Sequence, residues 1–453
     1  MNETIAALAT PPGESALALI RVSGNLIQEI IASALPAPGQ APPPPRAARV
    51  GHYRLVDGSV LDQVVWIHYP APRSYTGEDM LELMPHGSPF ITQRLLEDLG
   101  ARGCRLAEPG EFTRLAFLNG KLDLAQAEAI VDVIRARSDQ ALAVAQRQLG
   151  GALGRHVGSL VEALLRVTAH LEAYIDFPEE DLPAEDVGGP VRELVALREQ
   201  IDQLIATEHY RDRLQDGIRV VLIGEPNAGK SSILNALIEE DRAIVSEEAG
   251  TTRDFIEVRT SFGGHLVRLF DTAGLRESDS RVERAGVERT LRVAGQADVL
   301  LFVHDASLPF PSPDGPLADL LRRKPVLWLL NKADLVENLP VLPAPFADAV
   351  PTALSATRGD GFAALRERLR EQLDEGFAVP ADADVAISAR HASALQEAKV
   401  SLLAAVDTLR RGETPELAAT DLHVAIEAMG RIVGRIDNER VLDELFGSFC
   451  IGK

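Results

Sequence analysis

The chain has 453 residues, a hydrophobic fraction of 46% and a charged fraction of 25%, the proportions of an ordinary folded protein of about three domains at roughly 100 to 200 residues each. Its formal net charge of −21 opposes unaided, non-specific binding to a polyanion, so a nucleic-acid partner would require a local basic surface or a second protein. Two cysteines, Cys104 and Cys450, are too few for a disulfide framework or a cysteine zinc cluster. Asn2, Glu3 and Pro11-Pro12-Gly13 follow Met1 where a secretion signal would place basic and then apolar residues. The longest apolar runs fall far short of the roughly 18 residues of a membrane span. A cytoplasmic protein is expected.

Residues 1–119 combine short β-type runs, Ala16 to Val22, Val60 to Tyr69 and Met80 to Leu83, with a helical stretch from Phe90 to Leu99. This pattern predicts an α+β domain, interrupted by a proline-rich surface loop from Pro36 to Pro45. Over 120–215 the apolar residues fall at helical spacing, as in Leu122, Ala125, Ala129 and Val133 or Leu160, Leu164, Val167 and Leu171. Long packed helices are expected, broken by the acidic, proline-containing turn from Asp176 to Asp181. Between 216 and 380, strand-like runs (Arg219 to Gly224, Leu266 to Phe270, Val299 to Val303, Val326 to Leu330) alternate with helical patterns. That alternation predicts a parallel sheet with crossover helices. Helical periodicity returns over 381–453, in Ala389 to Arg410 and Glu416 to Arg431. Packing these helices against those of 120–215 would make the α/β domain an insertion in a helical one.

The inserted domain carries four motifs in the order of a guanine-nucleotide site. Gly224-Glu225-Pro226-Asn227-Ala228-Gly229-Lys230-Ser231 follows a strand and, near Ser232, opens a helix, the context a P-loop needs. Its backbone N–H groups and the helix N-terminus suit phosphate, Lys230 reaches the β/γ oxygens and the Ser231 hydroxyl ligates Mg²⁺. Asp271-Thr272-Ala273-Gly274 closes the next strand, with Asp271 placed to hold Mg²⁺ through water and the Gly274 N–H to sense the γ-phosphate. Asn331-Lys332-Ala333-Asp334 sits at another strand's C-terminal end, where ligands of open α/β sheets bind. Asp334 can accept from guanine N1–H and the 2-amino group, two donors that adenine lacks. Ser355-Ala356 offers backbone to guanine O6. Between the first two motifs lies Gly250-Thr251-Thr252-Arg253-Asp254, where Thr252 is placed to complete the Mg²⁺ shell; the other reading is a plain turn before the strand Phe255 to Val258. Leu275 follows Gly274, where small signalling GTPases place the glutamine that orients the attacking water.

These motifs, with Gly250-Thr251-Thr252-Arg253-Asp254 and Arg281-Val282-Glu283-Arg284, resemble the MnmE (also called TrmE) family of tRNA-modification GTPases. Gly110 to Glu128 is similar to the family's domain junction, and Phe449-Cys450-Ile451-Gly452-Lys453 to its C-terminus. The resemblance implies that Ser246-Glu247-Glu248-Ala249 and Gly250-Thr251 contact the nucleotide, that potassium activates hydrolysis, bound by Asn227, Ser246, Glu248 and the Thr251 position, and that Glu283 is the catalytic glutamate. It implies a tetrahydrofolate cofactor of the 5-formyl type in the N-terminal domain, with Arg21, Glu82, Lys121 and Lys453 at matching positions, and a homodimer formed by that domain. Met84-Pro85-His86-Gly87-Ser88 departs from the family's more glycine-rich segment. A flavin- and NADH-using partner of the MnmG (GidA) type is implied, as is formation of an aminomethyl or carboxymethylaminomethyl group on wobble uridine 34 of tRNA. Two other classes stay open: a ribosome-assembly or signalling switch GTPase without modification chemistry, and a folate-dependent aminomethyltransferase acting alone.

Overall fold

The computed structural model describes residues 3–35, 45–176, 188–240, 256–271, 290–311, 313, 315–377, 385–434, 439–447 and 449–452. The fold divides into two compact units. One comprises Met1–Val131, Gln148–Ile201 and Ser393–Lys453; the other comprises Asp132–Arg147 and Asp202–Ala392.

In the first unit the strands are β1 (Ile5–Leu8), β2 (Ser15–Leu17), β3 (Ile20–Ser23), β4 (Arg49–Arg54), β5 (Val60–Tyr69), β6 (Met80–Met84), β7 (His86–Gly87) and β8 (Arg105–Leu106). Six form a sheet in the order β4-β5-β6-β3-β1-β8, antiparallel except for the β1/β8 pair. One face buries Ile20, Val22, Trp66, Leu81 and Leu83 against Ile27 and Ile30 of helix Ile27–Ala34 and Leu95 and Leu99 of helix Pro89–Ala101. The single run expected from Ala16 to Val22 is split: β2 leaves the main sheet and pairs with β7. The close approach depends on Gly87, where a Cβ would lie 2.5 Å from the Ser15 carbonyl oxygen. Alternation alone does not reveal such a change of partner.

The helices of this unit show why residues far apart in sequence meet. Helix Ala152–Asp176 buries Leu153, Val157, Leu160, Leu164, Val167 and Leu171, a stripe at three- and four-residue spacing. Helix Pro415–Val433 packs along it. Pro415 fits the first turn, and Gly434, at φ +79°, ends the helix in the left-handed cap position. Beyond it, helix Glu439–Gly447 and Phe449 bring Leu442, Phe446 and Phe449 against Leu124, Ala127 and Phe117. Gly110 permits this seating, because a Cβ there would stand 2.6 Å from the Phe446 carbonyl oxygen.

The second unit is built on a sheet of β9 (Ile218–Gly224), β10 (Ile256–Phe262), β11 (His265–Asp271), β12 (Val299–Asp305), β13 (Val326–Asn331) and β14 (Thr352–Ala353), in the order β10-β11-β9-β12-β13-β14. Only the β10/β11 pair is antiparallel. Every residue of β12 is buried, as expected of a parallel strand covered on both faces. Leu234 and Leu237 of helix Lys230–Glu240 and Leu365, Leu369 and Leu373 of helix Phe362–Phe377 cover one face. Leu321, Trp328, Leu342 and Phe346 cluster on the other. β9 is flanked by β11 on one side and β12 on the other, strands that both follow it in the chain, so the end of β9 is the switch point where ligands of such sheets bind.

Candidate functional site

The P-loop begins where β9 ends. Gly224, at φ +139°, lies so close to β12 that a Cβ would come within 2.0 Å of the Val303 carbonyl oxygen. Asn227 and Gly229 also have positive φ, +64° and +96°, a backbone pattern suited to turning successive N–H groups into a concave anion nest. A Cβ on Gly229 would meet the Asn331 side-chain nitrogen at 2.1 Å. Gly224→Ala is therefore expected to cost about 3 kcal/mol of stability or more, from a backbone clash in a conformation closed to alanine. Thermal unfolding would show the loss, and calorimetry would show GDP binding lost with it.

Lys230 is buried, and its Nζ donates to the carbonyls of Gly224 at 2.9 Å and Glu225 at 2.7 Å. The Ser231 hydroxyl donates to Asp271 Oδ2 at 2.5 Å. A hydroxyl from helix Lys230–Glu240 and a carboxylate from the end of β11 thus converge, hard oxygen donors that fit Mg²⁺.

The Asn331–Asp334 and Ser355–Ala356 segments are tied to the P-loop by Asn331, the last residue of β13, which is buried. Its Nδ2 donates to the Ala228 carbonyl at 2.7 Å and its Oδ1 accepts from the Ala356 N–H at 3.1 Å. One side chain therefore joins the P-loop, the Asn331–Asp334 motif and the Ser355–Ala356 loop. Lys332 adopts a left-handed backbone at φ +62° and pairs with Asp305 Oδ2 at 2.5 Å. Burial pushes the Asp305 carboxyl up, but the Lys332 ammonium and the hydrogen bonds from Ser307 outweigh it and hold the group below its ordinary range. Ala333 donates its N–H to the Leu354 carbonyl at 3.1 Å, anchoring the short 3₁₀ turn Ala333–Leu335 that presents Asp334. The Arg358 guanidinium lies 3.5 Å from the Asp334 carboxylate.

The Lys332–Asp305 and Arg358–Asp334 pairs were not read from the sequence. The first had a signal: β12 and β13 are parallel neighbours in register at Asp305 and Asn331, so their C-terminal ends face the same site. The second had none, because Arg358 lies in an irregular loop.

The first unit holds a second group. Arg21 and Glu82 face each other in register on β3 and β6. The Arg21 guanidinium binds Glu82 Oε1 at 3.0 Å, and the Tyr69 hydroxyl donates to Glu82 Oε2 at 3.2 Å. Burial and then the Glu82 carboxylate raise the Tyr69 phenol above its ordinary value. Arg21 lies 5.1 Å over the Tyr75 ring and donates to the Gly452 carbonyl at 3.3 Å. The structure thus joins Arg21, Glu82 and the C-terminal segment directly. Lys121 donates instead to the Pro72 carbonyl at 2.9 Å and packs beside Gly77, so it reaches the cluster through the loop that carries Tyr75. A carboxylate oriented by two donors still has lone pairs for an amino-pyrimidine edge, and the guanidinium can face carboxylates. The donor set fits a folate.

Ser246, Glu247, Glu248, Ala249, Gly250, Thr251, Thr252, Thr272, Ala273, Gly274, Leu275, Glu283 and Lys453 lie outside the described residues.

Comparison with known proteins gives a consistent outcome over the full length. Residues 4–121 match the family model of the GTP-binding protein TrmE N-terminus, and residues 124–450 that of the MnmE helical domain. A tRNA modification GTPase MnmE of Opitutus terrae is 49% identical over 453 residues, spanning 100% of this chain and 99% of the relative. The protein of that name from Akkermansia muciniphila is 42% identical over 462 residues, with 100% and 99% covered. That of Aquifex aeolicus is 40% identical over 454 residues and covered in full on both sides. With both family models and full-length relatives in agreement, the chain belongs to the MnmE (TrmE) family.

Proposed function

We propose that the chain is a potassium-activated GTPase that, with a flavin-dependent partner of the MnmG (GidA) type, forms the aminomethyl or carboxymethylaminomethyl group on wobble uridine 34 of tRNA. The observation that carries this reading is that one chain holds an assembled guanine-nucleotide site, tied together by Asn331, and a separate Arg21–Glu82 cluster suited to folate. A switch GTPase has no use for the second. The reading divides the chain into a folate-binding and dimerisation domain at 1–119, helical parts at 120–215 and 381–453, and a G domain at 216–380.

In this scheme GTP lies along Asn227 to Ser232, with Asp334, Ser355 and Ala356 reading the base. Ser231 and Thr252 hold Mg²⁺, and Asn227, Ser246, Glu248 and Thr251 hold potassium, which supplies positive charge beside the phosphates. Glu283 orients the attacking water. Glu82 holds the pterin edge of a 5-formyl-tetrahydrofolate-type cofactor, while Arg21, Lys121 and Lys453 face its carboxylates; the folate supplies the one-carbon unit when bound. Among the described residues no helix is long and apolar enough to cross a membrane, and the partners of the reading are a second copy of the chain, the flavoprotein and tRNA.

Nucleoside analysis of tRNA from a strain lacking the protein tests the reading. Loss of the modified wobble uridine is expected, and wild-type levels would overturn it in favour of a switch GTPase. Glu82→Gln is expected to weaken 5-formyl-tetrahydrofolate binding about tenfold or more, the scale of a charged hydrogen bond lost from a partly buried site. Calorimetry would check this, with GDP binding unchanged as the control.

A further inference from the structure

We infer that His304 is a positioning residue for the nucleotide cradle, acting through the second residue of the P-loop, Glu225. The inference rests on the reading of the chain as a GTPase. His304 is the penultimate residue of β12 and is fully buried. Its Nδ1 lies 2.9 Å from Glu225 Oε2 and its Nε2 lies 3.0 Å from the Leu308 carbonyl oxygen. Both partners are acceptors, so each contact is a hydrogen bond only if the facing ring nitrogen donates. The ring is further fixed by Phe310, whose centroid is 4.4 Å away.

What His304 holds is not a bystander. Glu225 accepts the Lys230 ammonium on its backbone carbonyl at 2.7 Å while its carboxylate, still one-third exposed, is held by His304. The buried ring therefore orients the residue on which the phosphate-binding lysine rests. β12 is already pressed against this turn, with Val303 in register with Gly224. The imidazole fixes the side-chain end of the same turn, and Leu308 ties it to the loop after β12. Asp305, next in the chain, is engaged by Lys332 and Ser307, leaving Glu225 as the carboxylate facing the ring.

The two nitrogens do different work, and this gives a test that fold stability alone does not mimic. Asparagine at 304 keeps a donor near the Nδ1 position, within reach of Glu225; glutamine keeps one near Nε2, toward Leu308. His304→Gln is expected to weaken GDP binding about tenfold, and His304→Asn to stay within about twofold of the parent, the loss being that of one charge-assisted hydrogen bond. Glu225→Ala alone should give the same tenfold loss. In the double variant His304→Gln, Glu225→Ala the loss should not exceed that of either single change, since both remove one contact.

Calorimetry with GDP on the full chain, alongside melting temperatures, reads all four variants. Equal affinities of the Asn and Gln variants, unchanged affinity in Glu225→Ala, or additive losses near a hundredfold in the double variant would each overturn the inference. Should His304 variants not fold, Glu225→Ala decides the matter, its carboxylate lying at the surface end of the contact. A parent chain that binds no GDP would refute the GTPase reading instead.

Discussion

Asp334→Asn is expected to weaken GTP binding by about three orders of magnitude, the scale on which sites built to pair a hydrogen-bonding group reject a mismatched one. The same change should bring xanthosine triphosphate into the range GTP occupies in the parent. Guanine offers two donors, N1–H and the 2-amino group, to one carboxylate. Xanthine keeps N1–H but carries an oxygen at position 2. Asparagine presents one acceptor and one donor, which match xanthine and place two donors face to face with guanine. The exchange should be clean because the backbone is held independently of the side chain: Ala333 N–H bonds the Leu354 carbonyl, and the Asn331 side chain ties the start of the motif to the Ala228 carbonyl and the Ala356 N–H. Binding constants for both nucleotides would measure it. GTP affinity within tenfold of the parent would show that Asp334 does not read the base.

Sodium in place of potassium is expected to lower kcat by about 10²-fold, with Glu283→Ala causing a comparable loss while nucleotide binding persists. The scale is that of one preorganised group facing transition-state charge, or of one acid–base group. Two features motivate the expectation. Leu275 stands where a water-orienting glutamine would be. Lys230, the cation of the P-loop, rests on the Gly224 and Glu225 carbonyls and is read as the group that reaches the β/γ position, which leaves the remaining transition-state charge to another cation. Asn227 by itself proves little, since its left-handed backbone at φ +64° is one that asparagine tolerates better than most residues. Single-turnover hydrolysis in matched potassium and sodium buffers separates the roles. Equal rates would remove the ion from the reading, and a normal kcat in Glu283→Ala would assign the water to another group.

Much of the nucleotide unit was legible in the sequence because its signals are local. β9, β11, β12 and β13 each contain the apolar run that announced them and extend it by one or two residues. The P-loop follows β9, Asp271 closes β11, Asn331 closes β13, and Ser355-Ala356 lies in the loop after β14. Helices Ala389–Arg411 and Pro415–Val433 likewise match their periodicity. The split of β2 from β3 was not legible, because alternation identifies a strand but not its partner, and the partner here depends on the missing side chain of Gly87.

By itself the sequence determined the nucleotide motifs and their order, since a P-loop or the Asn331–Asp334 motif is specified by residues within a turn or two of each other. The tertiary structure alone decided which distant groups meet within each unit. Asn331 reaches back 103 residues to Ala228, His304 reaches 79 to Glu225, and Arg21 meets Gly452 across 431. Such contacts leave no periodicity in the chain. They exist because parallel neighbours bring strand ends together at one edge and because Phe446 and Phe449 bury their rings beside Leu124 and Ala127, carrying the C-terminal segment to the strand that holds Arg21.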